Sequence, residues 1–221
     1  MHINADFYRR IVLDTNAMPW EPSPMAGVSR RKLDRIGDEV ARATSLVRYE
    51  PNSRFSEHTH GGGEEFFVLE GVFSDENGDY PAGTYVRNPI GSSHSPHSDE
   101  GCVIFVKLQQ FDVDDTRQFS VSTHDATYLP GSAEGHTVLS LHTFASETCA
   151  VHKLAPKTKI FAMPRTGGQE IFVLSGAFSD AHGRYSAGTW VRNPDSMPSP
   201  WSSNDGCVLF MKTGHLPDTT F

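Results

Sequence analysis

Cysteine is scarce in this chain: three in 221 residues, Cys102, Cys149 and Cys207. They are odd in number and far apart, which excludes a disulfide-stapled scaffold, a zinc-cysteine module and a Cys-x-x-Cys redox pair. They read as buried strand residues. Long apolar runs are missing too, since none approaches the roughly 20 residues of a membrane span. The opening Met1-His2-Ile3-Asn4-Ala5-Asp6 has neither the basic nor the apolar region of a signal peptide. A cytoplasmic protein with no membrane segment is therefore expected. Positive charge is also short: 19 Lys and Arg against 27 Asp and Glu leave a formal net charge of −8, which argues against direct binding of nucleic acid or an anionic membrane. Neither a nucleophile triad nor a phosphate-binding loop can be found. Gly61, Gly62 and Gly63 are followed by no Lys-Ser/Thr pair and no helix start, so catalytic residues stay unassigned.

What is present is Gly, Pro, Phe, Val and Thr, a composition of short strands and turns. An all-β fold is expected. Shifting the chain on itself by 105 residues lays 62–71 onto 167–176 and holds register without a gap as far as Lys107 and Lys212. About 26 of the 62 positions from Leu46 to Lys107 are identical in the second copy, which marks a duplication. The repeat decides one ambiguous stretch. Leu33, Ile36 and Val40 could pass as a helical stripe, but the counterpart 137–151 is rich in β-branched residues, so both segments are read as strand pairs. Turns are expected at Ile36-Gly37-Asp38 and at Ala145-Ser146-Glu147. Further strands are expected at 65–70, 83–87 and 102–108, with hairpin turns at 75–78 and 180–183. The division that follows is a first lobe 1–110, a linker 111–130 rich in Asp and Thr, and a second lobe 131–221.

Chemistry concentrates in the first lobe. On an extended strand His58 and His60 emerge on one face, where a helix would splay them about 200 degrees apart. The three glycines that follow allow a sharp turn that returns Glu64 to the same point, and His94 arrives from another strand. Three neutral imidazoles and one carboxylate suit one divalent ion: zinc, manganese, iron or nickel. Glu64 and the adjacent Glu65 face opposite ways. The second copy keeps Glu170 in place of Glu65 but has Gln169 in place of Glu64, so Glu64 is assigned to the metal and Glu65 to the fold. His97 is the rival to His94. In the second copy Met163, Arg165, Gln169 and Ser199 replace the four ligands, and no metal is expected there. His124, His136, His142, His152, His182 and His215 show no ligand spacing. Arg87 and Arg192 recur with their Asn-Pro neighbours and read as structural.

The spacing of His58, His60, Glu64 and Gly71, answered by Gly83, Pro89, Gly91 and His94, resembles the two motifs of the cupin superfamily. Asn52 and Ser98 depart from its framing positions, neither of which binds metal. Within that superfamily Glu64-Glu65, 69–75, 80–84 and 87–89 are similar to the cupin domain of ChrR-type anti-sigma factors, and the likeness covers each lobe. The resemblance implies two tandem RmlC-like jelly-roll barrels, a bicupin, with zinc held by His58, His60, Glu64 and His94. It also implies a regulatory or sensory role, with a protein partner or a small ligand acting at the metal. The family's separate N-terminal His-x-x-x-Cys-x-x-Cys zinc domain has no counterpart here, since no cysteine precedes Cys102. Cupin dioxygenases are similar over single lobes and imply the alternative, an Fe(II) enzyme acting on a chelating substrate such as a β-diketone. A homodimer is expected, because sheet edges offer surface for pairing.

Overall fold

The computed structural model describes residues 1–38, 40–162, 166–194 and 199–217, with the side chains of Ala162 and Ser199 also left out. Apart from one 3-10 turn, Thr15–Ala17, regular structure among them is all strand. The chain divides into two units, one formed by 1–5 and 18–125, the other by 6–17 and 126–221.

The first unit is built on one antiparallel path: His2–Ile3, Val28–Gly37, Ala41–Tyr49, Cys102–Leu108, Glu64–Asp75, Thr84–Asn88 and Phe119–Ser122. The far half of Glu64–Asp75 leaves this path to pair with Gly78–Pro81 and His97–Ser98, so one twelve-residue strand serves both faces of the roll. A β-bulge between Val103 and Ile104 marks that departure. The segment 28–49 is the expected strand pair, and Asp75 meets Gly78 across a two-residue turn. Alternation sends Val47, Phe66, Val68, Val86, Ile104 and Val106 into one buried cluster.

The opposite face of the same sheet is buried as well, and there Leu46, Phe67 and Phe105 share it with polar groups. Arg87 donates to Glu65 at 2.9 Å and also to Asp115, while the Tyr85 hydroxyl donates to the same Glu65 oxygen at 2.6 Å. Phe111 lies under the Arg87 guanidinium at 4.0 Å. Lys107, 1% exposed, donates to the Thr44 hydroxyl at 2.9 Å. Arg87 and Glu65 are thus structural, as their recurrence suggests.

The second unit repeats the path with Leu129–Pro130, His136–Phe144, Glu147–Leu154, Cys207–Thr213, Gln169–Asp180, Thr189–Asn193 and Ile11–Asp14. Its core gathers Ile171, Val173, Phe178, Val191, Trp201 and Leu209. All three cysteines are buried and none forms a disulfide, and burial pushes the Cys102 thiol up to about 11.

The boundaries expected at 110 and 130 differ from this division. The expected linker contains Phe119–Ser122, which pairs along its length with Thr84, Tyr85, Val86 and Arg87 and so closes a sheet edge. Ile11–Asp14 leaves the expected first lobe to pair with Thr189–Asn193 in the second unit. An open edge carries a row of unmatched N–H and C=O groups, and these two short strands satisfy one edge in each unit. The alternating Phe119-Ser120-Val121-Ser122 was the available signal, masked by the Asp and Thr around it.

Candidate metal centre

Two short strands present the histidines: His58–Thr59 pairs with Ser93–His94, and His58 stands directly opposite His94. The loops beyond them are tied together, because His60 N–H donates to Ser92 O and Gly91 N–H to His60 O, both at 2.9 Å. The turn between His60 and Glu64 needs its glycines. Gly63 has φ +77°, and a Cβ there would lie 2.3 Å from the Phe111 ring. Glu64 then opens the long strand on its inward face, beside Asn88 on the neighbouring strand.

The outcome is that His58, His60, Glu64 and His94 each offer a ligand atom, all within 4.8 Å of one another. Glu64 Oε1 lies 3.5 Å from both His60 Nε2 and His94 Nε2. Donors about 2.1 Å from a shared cation stand roughly 3.0–3.4 Å apart at tetrahedral or octahedral angles, so the set is close to a coordination sphere. His60, Glu64 and His94 are buried and His58 is half-buried, which leaves the group open on the His58 side.

Each imidazole is held by its other nitrogen. His58 Nδ1 lies 3.1 Å from Ser56 O, His60 Nδ1 2.9 Å from Ser92 Oγ, and His94 Nδ1 3.1 Å from Asp75 Oδ2. With Nδ1 engaged, Nε2 is the atom left to converge, and such tethers fix ring orientation and raise ligand basicity. His60 Nε2 and His94 Nε2 are buried without a hydrogen-bond partner. Leaving two buried ring nitrogens unmatched costs about 1–3 kcal/mol each, so these orphaned atoms fit a cation as their partner. Asn88 donates to Glu64 Oε1 at 3.4 Å and holds the carboxylate on the same side.

The electrostatics act in opposite directions on the two buried rings. Burial lowers the His60 pKa despite the upward pull of Glu64, which keeps its ring neutral. Burial also pushes His94 down, but the Asp75 hydrogen bond and the charges of Glu64 and Asp75 overcome it, so its pKa rises. Burial raises Asp75 as well, and hydrogen bonds from His94 and the Asn77 N–H outweigh it, so this carboxyl sits below its ordinary value.

The sequence reading of His58, His60, Glu64 and His94 as one group matches this arrangement. His97 pairs with Arg54 and Ser74 on a separate strand and is not in the group. Glu65 points to the opposite face. Sequence reasoning misses Asp75, Ser92 and Asn88 as supports; Asp75 recurs in both copies, where its signal is that of a hairpin turn. Met163 and Arg165 lie outside the described residues, as does the side chain of Ser199. Gln169 opens the strand that corresponds to the one headed by Glu64. Among the described residues no such group forms within the second unit. The remaining histidines have local roles: His136 Nε2 meets His152 Nδ1 at 3.0 Å, and His124 Nε2 donates to Ala82 O at 3.1 Å.

The group stands in the wall of a cavity of about 450 Å³, lined also by Met25, Val47, Tyr49, Phe55 and Ile104. That volume suits a small organic ligand. A family described as the ChrR Cupin-like domain matches the sequence twice, over 8–112 and 116–217. The chain belongs to the ChrR cupin-like family. The two matches cover nearly all of this bicupin, and solved structures agree on its fold. It is similar to a candidate dioxygenase from Nostoc punctiforme, with a TM-score of 0.78 and 16% identity, over 97% of this chain and 85% of that one. It is similar to the pirin YhhW of Escherichia coli, solved with nickel(II), with a TM-score of 0.72 and 13% identity, over 96% of this chain and 100% of that one. A variant of the oxalate decarboxylase OxdC of Bacillus subtilis gives a TM-score of 0.62 and 13% identity, over 95% of this chain and 78% of that one. Identities this low speak for the fold alone. No curated protein matches the sequence. No helix among the described residues is long and apolar enough to cross a membrane.

Proposed function

We propose that this cupin binds one divalent metal ion through His58, His60, Glu64 and His94, and that a small molecule entering the adjacent cavity acts on that centre in a regulatory role. Zinc is the ion we assign first. The observation that carries the reading is the position of four convergent ligand atoms, two of them orphaned and buried, on the wall of a cavity large enough for an organic ligand. A structural ion would need only a closed, tightly packed site. Here the half-exposed His58 and the cavity leave one side open.

A bound divalent ion would supply Lewis acidity and coordination positions for a chelating ligand. The protein does the rest. Ser56, Ser92 and Asp75 hold the three rings in register, Asn88 holds the carboxylate, and Met25, Val47, Phe55 and Ile104 exclude water around the ligand. A change in what occupies the centre would shift the chain between conformations with different affinity for a partner. The family match supports the regulatory reading. We also propose a cytoplasmic location and a homodimeric state.

The second reading is an Fe(II) dioxygenase acting on a small chelating substrate such as a β-diketone, and the cavity beside the four candidate ligand atoms favours it. One experiment separates the two. Protein purified without added metal is analysed for its ion, then loaded with zinc or Fe(II) and assayed for oxygen uptake with a β-diketone panel. Zinc in the purified protein, with no uptake by either form, is the expected result. Turnover by the Fe(II) form at enzymatic rates would replace the regulatory reading with the catalytic one.

A further inference from the structure

We infer that the ligand of this cavity is a small organic acid, with Arg30 and Tyr49 receiving its carboxylate; the inference rests on the metal reading above for the ligand's other end. The argument begins with strand register. Arg30 pairs with Val47, and Val47 with Ile104, both of which line the cavity, so Arg30 lies on the cavity face. Simple alternation would next bring Lys32 and Asp34 to that face. A β-bulge between Lys32 and Asp34 moves the phase by one residue and sets Arg35, in place of Asp34, opposite the cavity-lining Ala43. The bulge therefore exchanges an acid for a base on the inner wall.

The charge that results is opposite to that of the chain. The wall carries two guanidiniums, Arg30 and Arg35, against one carboxylate, Glu64, while the protein as a whole is at −8. Neutral imidazoles add nothing, and a divalent ion would add two more positive charges. Such a pocket favours an anionic organic ligand over a cationic one. Arg35 also donates to the Asp38 carbonyl at the hairpin end. Arg30 and Tyr49 stand diagonally across neighbouring strands, Arg30 opposite Val47 and Tyr49 opposite Val28, and both line the cavity. No hydrogen bond to the Tyr49 hydroxyl forms among the described residues, and that side chain lines the cavity while only 6% exposed. A guanidinium beside a buried phenol is a fitting receptor for a carboxylate, which accepts from both. Apart from Ser45, Thr59, Gln109 and the four candidate ligands the remaining lining is apolar, and the volume of about 450 Å³ limits the acid to a short carbon skeleton.

The test compares acetoacetate with methyl acetoacetate, which differ in the charge of one group. Both are titrated calorimetrically into zinc-loaded protein of measured metal content. Acetoacetate is expected to bind at least about tenfold tighter. Arg30→Gln should abolish the preference at unchanged metal content, and Arg30→Lys should restore part of it. Tyr49→Phe, which deletes one oxygen, should weaken acetoacetate several-fold and carries the test should Arg30→Gln fail to fold. Equal or tighter binding of the ester, a preference that survives both Arg30→Gln and Tyr49→Phe, or no binding of acetoacetate would overturn the inference. Failure of the metal reading is distinct, because it appears as protein that takes up no ion. The same titration on metal-free protein then decides: an Arg30-dependent preference for the acid upholds the inference, and its absence overturns it.

Discussion

The hairpin at Asp75 and its copy at Asp180 show how two equal frames came to differ. In both, the aspartate Oδ1 accepts the N–H two residues on and the hydroxyl of a tyrosine, Tyr80 at 3.3 Å and Tyr185 at 2.9 Å. The other oxygen is used differently. Asp75 Oδ2 faces His94 Nδ1, whereas Asp180 Oδ2 lies 3.4 Å from Arg10, which also donates to the Tyr185 hydroxyl at 2.6 Å. A carboxylate that orients a ligand in the first unit anchors the leading segment in the second. Glu64 and Gln169 make the same contrast, each opposite an asparagine across the sheet, Asn88 and Asn193. Both copies carry the residues that satisfy the backbone and bury the sheet, and among the described residues only the first brings four candidate ligand atoms together.

The largest effects should come from the frame. Arg87→Ala leaves Glu65 and Asp115 buried without their cation and should cost about 3–5 kcal/mol in denaturant unfolding. Phe66→Ala and its counterpart Ile171→Ala should each lose about 2–5 kcal/mol, the two units alike, because both cores lose a fully buried side chain. The ligands should separate the units next. His58→Ala and His94→Ala should each lose most of the bound metal by elemental analysis, with far-ultraviolet circular dichroism retained; near-stoichiometric metal in either variant would contradict the site. Asp75→Asn should then weaken metal affinity about 10–100-fold in a chelator competition, while Asp180→Asn leaves it unchanged. Equal effects of the two would erase the contrast between the hairpins.

The smallest effect concerns thiol chemistry. With its pKa raised to about 11 against the ordinary 9.0, Cys102 stays a neutral thiol at pH 8 and should react with iodoacetamide far more slowly in native than in denatured protein. A raised folded value means that this contribution to stability is complete below pH 9 and lost as pH climbs through about 11. Denaturation midpoints should therefore fall over that interval, and a midpoint independent of pH there would contradict the burial.

Much of the site was legible because strand period and repeat constrain each other. A side chain's face follows from position parity, so Glu64 and Glu65 could be told apart without coordinates, and the copy with Gln169 confirmed which one the frame could spare. The supports of the ligands were not legible. Ser56 and Ser92 hold rings through contacts with no fixed spacing, and Asp75 meets His94 across 19 residues from a different sheet. Arg35 was hidden for a related reason: one bulged residue reverses every later face, and composition does not reveal where a bulge falls.

The sequence by itself determined that this chain is a duplicated all-β protein of the cupin kind and that four side chains of its first copy are spaced to meet. Those properties are local: alternation, glycine turns and repeat register act over a few residues. Only the tertiary structure decided which strand closes which edge, sending Ile11–Asp14 to the second unit and Phe119–Ser122 to the first. Backbone N–H and C=O groups are the same in every residue, so a short strand's sequence says which face is apolar and leaves its hydrogen-bonding partner to the folded chain.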